Sequence, residues 1–143
     1  MPLPDSAAID SALVARLAGD AELKGYMPDG VFYGQAPPNL RNFVLVSLII
    51  EHDLALFDLG YALDDALYLV KAVSFGTSAT AMKKGAYRIF QLLEDYPLAA
   101  DGFGCFAMHR EQRLRYPEQD DVDPSIMWQH GGGHYRVQMT ALP

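Results

Sequence analysis

Residues 129–140 read QHGGGHYRVQMT, two histidines bracketing three glycines and then an alternating run. Three readings compete: a metal clip, the glycine-rich arm of an oxyanion hole, or a supple turn ahead of a final strand. A clip needs His130 and His134 on one helical face, because four residues make a turn only in a helix. Consecutive glycines oppose that, each costing about 1 kcal/mol against alanine in a helix interior. Zinc needs three or four convergent ligands. The other histidines, His52 and His109, fall in expected strands, and no second pair has metal-like spacing. An HGGG oxyanion arm works with a Gly-x-Ser-x-Gly elbow between strand and helix, and the sequence contains none. The turn reading is left, with residues 134–142 (HYRVQMTAL) as the last strand.

Working outward, residues 102–116 (GFGCFAMHREQRLRY) give the long strand before it. Residues 117–133 lie between the two as an acidic loop containing proline and glycine. Residues 43–52 (FVLVSLIIEH) are apolar on both faces, the pattern of a strand buried on both sides. Residues 66–75 (ALYLVKAVSF) pair antiparallel with them, and the intervening 53–65 (DLALFDLGYALDD) read as a long loop or as strand extensions. GVFYG at 30–34 is a short early strand. A first helix starts at a cap on Asp5 or Ser6, carries Ile9, Ala12, Leu13 and Leu17 on one face and stops at Gly19. A second, capped by Thr77 or Ser78, buries Met82, Ala86, Ile89, Phe90 and Leu93 and ends before Pro97. Helix, strands, helix, strands is the order of an α+β domain: a single antiparallel-rich sheet with two main helices packed on one face. All 143 residues are read as one domain.

Composition narrows the function. Half of the residues are hydrophobic and 20% are charged, as in globular proteins. Eleven Lys and Arg against 18 Asp and Glu give a formal net charge of −7, which argues against a nucleic-acid binder. Cys105 is the single cysteine, so no internal disulfide forms and a reducing compartment fits. The N-terminus MPLPDSAAID lacks the basic start and apolar block of a signal peptide. No apolar run approaches the ~20 residues that cross a bilayer. The expectation is a soluble intracellular protein with no membrane partner.

The remaining motifs dissolve on inspection. GFGCFA (102–107) matches a loose dinucleotide pattern but follows a helix and opens a strand, the reverse of the order that seats pyrophosphate. GTSATAMKKG has Ala81 where a phosphate loop needs glycine. HREQRLRY (109–116) is the densest basic stretch. Strict alternation puts Arg113 and Arg115 on one face and Arg110 on the other, which reads as a charged edge strand. EQDDVD (118–123) lacks calcium-loop spacing. No catalytic residue, cofactor or metal site is expected.

Residues 115–140 (RYPEQDDVDPSIMWQHGGGHYRVQMT) resemble the end of siphophage tail terminator, or tail-completion, proteins: a Tyr- and Arg-bearing strand, an Asp-rich loop and a final alternating strand. Residues 30–49 (GVFYGQAPPNLRNFVLVSLI) resemble their early turn and first long strand, although Arg41-Asn42 replaces the usual proline beside the aromatic. The resemblance, which extends to gene transfer agents, implies a non-enzymatic part of a virion's tail–neck region, assembled in the host cytoplasm. It implies a homo-oligomeric ring, a hexamer, that caps the tail tube, ends its polymerisation and joins the neck or head-closure protein. DNA then passes through the ring without tight binding. Residues 54–65 and 117–133 become the adaptor segments, with Leu54, Leu56, Phe57, Leu59 and Tyr61 in one and Asp120, Asp121 and Trp128 in the other as candidate interface residues. Two alternatives stand beside it: another neck or head-closure component, and a small ligand-binding or hydrolytic enzyme using His130, His134 and the acidic loop.

Overall fold

The computed structural model describes residues 4–55 and 62–142. Its elements are α1 (Ala7–Ala18), α2 (Ala21–Tyr26), β1 (Val31–Tyr33), β2 (Asn42–Ala55), β3 (Ala62–Phe75), α3 (Thr80–Leu93), β4 (Phe103–Gln119) and β5 (Met127–Ala141). The strands form one sheet in the order β1-β2-β3-β5-β4. All neighbours are antiparallel except β1, which runs parallel to β2. This is the expected α+β class, with a mixed sheet and a third, short helix that the sequence pattern did not reveal.

The helices cover one face of the sheet. Ile9, Leu13 and Leu17 recur four apart along α1 and are buried, and α3 contributes Met82, Ile89, Leu92 and Leu93. They meet alternate residues of the strands: Val44 and Val46, then Ala66, Tyr68, Val70 and Ala72, then Tyr135, Val137 and Met139. The period of two is what brings these residues to one side. In α3, Ala86 and Phe90 are only half-buried, because that flank of the helix faces a groove. The caps lie close to where the sequence put them. Asp5 Oδ1 accepts from Ala7 N at 3.0 Å beside the Ser6 N-cap, and α3 starts after Ala79, one residue beyond Ser78.

Six-residue α2 is held by its partners more than by propensity, since so short a helix is marginal alone. Asp20 caps it by accepting from Leu23 N at 2.8 Å, and the same carboxylate takes two 2.8 Å hydrogen bonds from Arg88 of α3. The Arg88 hydrogen bonds are the main cause that holds the Asp20 carboxyl down to about 2. One side chain thus caps one helix and ties it to another.

Four sequence expectations are corrected or decided by the structure. Residues 43–52 are not buried on both sides: Val44 and Val46 face the helices, but among the described residues no helix covers the reverse face, and Ile49 and Ile50 are 47% and 45% exposed. Of the two readings of residues 53–65, a long loop or strand extensions, the described part follows the second. β2 and β3 continue as paired extensions to Leu54↔Leu63 and Ala55↔Ala62. The acidic connection shrinks to residues 120–126, because β4 runs through Pro117 to Gln119 and β5 begins at Met127. Proline is tolerated there because β4 is an edge strand and needs no N–H on its outer side.

The fourth correction concerns the opening stretch. Gly131, Gly132 and Gly133 are not a turn but lie inside β5, between β3 and β4, opposite Ala72, Lys71 and Val70 on one side and Arg115, Leu114 and Arg113 on the other. Packing explains the choice of residue. A Cβ on Gly131 would run into Met82 of α3. One on Gly132 would strike the Val70 carbonyl and stand 2.6 Å from Lys71 Cα, and one on Gly133 would stand 2.5 Å from the Gln112 carbonyl oxygen. Only glycine lets three backbones and a helix approach so closely.

Candidate interaction surfaces

The glycine stretch floors a groove of about 570 Å³ between α3 and the β4 edge. Its walls are Met82, Ala86, Tyr87 and Phe90 on the helix side and Arg110, Arg113 and Arg115 on the strand side, with Lys83 at the rim. The three arginines share this face because of a bulge. Register shifts between Arg110 and Gln112, leaving Glu111 as the extra residue, and one extra residue reverses the alternation that follows. Arg110 is therefore not turned away from Arg113 and Arg115, as strict alternation predicted. Its guanidinium lies 4.0 Å over the Phe90 ring. Among the described residues, Lys83, Arg110, Arg113 and Arg115 have no carboxylate within ion-pair distance. Tyr87 is 62% exposed, a large aromatic standing open beside four cations.

The far end of the β2–β3 hairpin has the opposite character. Asp53 and Asp64 are direct cross-strand partners, and Glu51 sits opposite Ala66 on the same face. Like charges placed so are mutually unfavourable. Asp64 is 3% exposed and its Oδ1 has no hydrogen-bond partner among the described residues. Burial first, then repulsion from Glu51, Asp53, Asp10 and Asp65, pushes its carboxyl up to about 6. Close by, Tyr68 donates to Asp10 Oδ1 at 2.5 Å, while Tyr33 is pushed up to about 12 by burial and then by Asp10. Of the candidate interface residues, Leu54 belongs to β2 in this extension, and Leu56, Phe57, Leu59 and Tyr61 lie outside the described residues.

The structure does bring Asp120 and Trp128 together, but chiefly to hold a turn. Asp120 accepts from Trp128 Nε1 at 3.1 Å, from Val122 N at 3.1 Å and from Asp123 N at 3.0 Å. The hydrogen bond from Asp123 N, then that from Trp128, lowers its carboxyl. Trp128 packs edge-on to Phe75 and Phe43, at 5.4 and 6.4 Å between ring centroids. Together with the 36–41 turn these residues line a second depression of about 630 Å³. Asp121 is exposed and Val122 is 91% exposed, so this turn presents a small apolar tip to solvent.

His130 and His134 project from one face of β5, four residues apart. In a strand that is about 13 Å, far outside a shared coordination sphere. His130 is buried and stacks on Tyr116 with ring centroids 4.7 Å apart and planes within 6°. Its Nε2 lies 3.4 Å from Glu118 Oε1 without the alignment of a hydrogen bond. Burial, then the nearby Lys71 charge, lowers its pKa. His134 Nδ1 is 3.2 Å from Gln112 Oε1. One cluster escaped the sequence reading: Glu94, Asp95 and His109 each place a potential ligand atom within 4.8 Å of the others. The members come from the end of α3 and from β4, so no sequence spacing marks them. Glu94 Oε2 is already occupied by Arg110 N at 2.8 Å.

No family model matches the sequence, and no curated protein matches it. Among solved structures, the fold is similar to a chain of the virion of a native gene transfer agent (GTA) particle, with a TM-score of 0.68 and 16% sequence identity, covering 95% of this chain and 97% of that chain. At that identity the likeness is one of fold.

Proposed function

We propose that the protein is a structural component of a phage-like particle, and within it a tail terminator: a ring that caps the tail tube, stops its growth and joins the neck. The observation that carries this reading is the fold, similar from end to end to a chain of a gene transfer agent virion. The tail-terminator resemblance of residues 30–49 and 115–140 supplies the finer assignment. Long strands, a bulge on the β4 edge and an apolar-tipped acidic turn suit a subunit that works by contact. No arrangement of nucleophile, base and oxyanion donors among the described residues argues for catalysis. Removing the chain from a particle-producing cell should leave tails of uncontrolled length without heads. Normal particles would contradict the proposal.

The terminator reading also requires DNA to slide through the ring. With a net charge of −7 per chain, self-repulsion opposes duplex binding, and four groove cations are too few to reverse it. A gel shift at low salt, where attraction is strongest, should show no retarded duplex. Submicromolar, salt-sensitive binding would mean that Arg110, Arg113 and Arg115 form a phosphate track.

A further inference from the structure

We infer that the groove between α3 and β4 binds an extended acidic segment of a different protein, one whose carboxylates alternate with apolar side chains. The two walls of the groove differ in character. On the strand wall Arg110, Arg113 and Arg115 share a face, and with Lys83 at the rim they make up four of the chain's 11 Lys and Arg. None of the four has a carboxylate within ion-pair distance among the described residues. A chain of net charge −7 has acids enough to pair them. Cations gathered in one place and left open mark a surface complementary to an outside anion. The helix wall is apolar and aromatic, with Met82, Ala86, Tyr87 and Phe90. Tyr87 is 62% exposed and available to a partner.

The alternation follows from the walls. An extended chain sends successive side chains to opposite sides. Laid along the groove, it turns one set towards the arginines and the other towards α3. Arg113 and Arg115 stand two residues apart on one face, about 7 Å, the same repeat as carboxylates at alternate positions of the ligand. From Arg110 to Arg115 the strand wall runs about 16 Å, the length of about five extended residues. Gly131 and Gly132 put no side chains on the floor, so the segment lies close against the sheet. Recognition is by side chains and not by continuing the sheet, because the bulge at Glu111 and Pro117 interrupt the outer edge of β4. A DNA duplex is the poorer match. Its phosphates suit the strand wall but leave the apolar helix wall unused. Firm duplex binding also draws on roughly 6–10 phosphate contacts, more than four cations supply.

The test uses the full-length protein and a fluorescein-labelled peptide, Glu-Leu-Glu-Phe-Glu-Leu-Glu, read by fluorescence anisotropy. The wild type should bind it in the micromolar range, and more tightly at low salt. A peptide of the same composition with its glutamates grouped at one end should bind at least about tenfold more weakly. So should one with glutamine in place of glutamate. Arg113→Glu with Arg115→Glu should abolish binding, and Tyr87→Ala should weaken it several-fold. All three side chains are exposed, so the fold should survive, as circular dichroism will check. No binding by the wild type, equal binding of the grouped peptide, or unchanged affinity in both groove variants would overturn the inference. Displacement of the peptide by submicromolar DNA would overturn it in favour of a phosphate track. Loss of self-association on the double charge reversal would instead make the groove a contact between copies. On the particle reading the segment belongs to a neighbouring virion protein, but peptide binding by the isolated chain does not depend on that. Tube capping by a wild type that binds no peptide would sink this inference and leave the terminator role standing. Peptide binding without capping would do the reverse.

Discussion

Gly132→Ala should destabilise the protein by at least about 3 kcal/mol, at the severe end of single substitutions. The cause is backbone, not side chain: the new methyl meets the Val70 carbonyl and Lys71 Cα, and two paired strands cannot separate without losing ladder hydrogen bonds on both sides of β5. Gly131→Ala is expected to cost less, since its methyl meets the flexible end of Met82. Urea unfolding of the two variants measures this directly. If residues 131–133 formed a turn at the surface, both alanines would be nearly silent. That result would overturn the placement of β5 and of the groove it floors.

Asp64→Asn should stabilise the protein, and only above mildly acidic pH. The folded carboxyl is raised from 3.8 to about 6, so its penalty is absent below about pH 4. The penalty grows as pH rises between the two values and is complete above 6. A shift of this size corresponds to roughly 3 kcal/mol by linkage. Asparagine keeps an amide to satisfy, so a gain of about 1–3 kcal/mol is expected, or on the order of 5 °C in Tm. Thermal unfolding should show that gain at pH 8 and little difference at pH 4. An equal gain at both pH values, or a loss at both, would show that Asp64 is not a strained carboxylate. Natural proteins tolerate such costs where another demand is served.

What was legible in the sequence followed physical periodicity. β2, β3, β4, β5, α1 and α3 announced themselves through β-branched runs or i, i+4 apolar spacing, and the α+β class followed. α2 was not legible because its stability comes from the Asp20–Arg88 bridge to α3, a contact between residues 68 apart. The glycine triplet misled because glycine is disfavoured in strands on average, and only the approach of Met82 and the flanking backbones overrides that. The groove was half-visible: Arg113 and Arg115 were placed on one face, but the bulge at Glu111 that adds Arg110 leaves no trace in the residue pattern. Asp120 and Trp128 were picked out for an interface and prove to hold their own turn together as well. The candidate contacts Leu56, Phe57, Leu59 and Tyr61 lie outside the described residues.

The central claim is that this chain ends a tail tube. Purified protein mixed with the polymerising tail-tube subunit of the same particle, and viewed by negative-stain electron microscopy, tests it most directly. The account predicts short tubes bearing a ring of extra density at one end, with mean tube length falling as the protein is titrated in. Bare tubes whose length does not change at any ratio would contradict it.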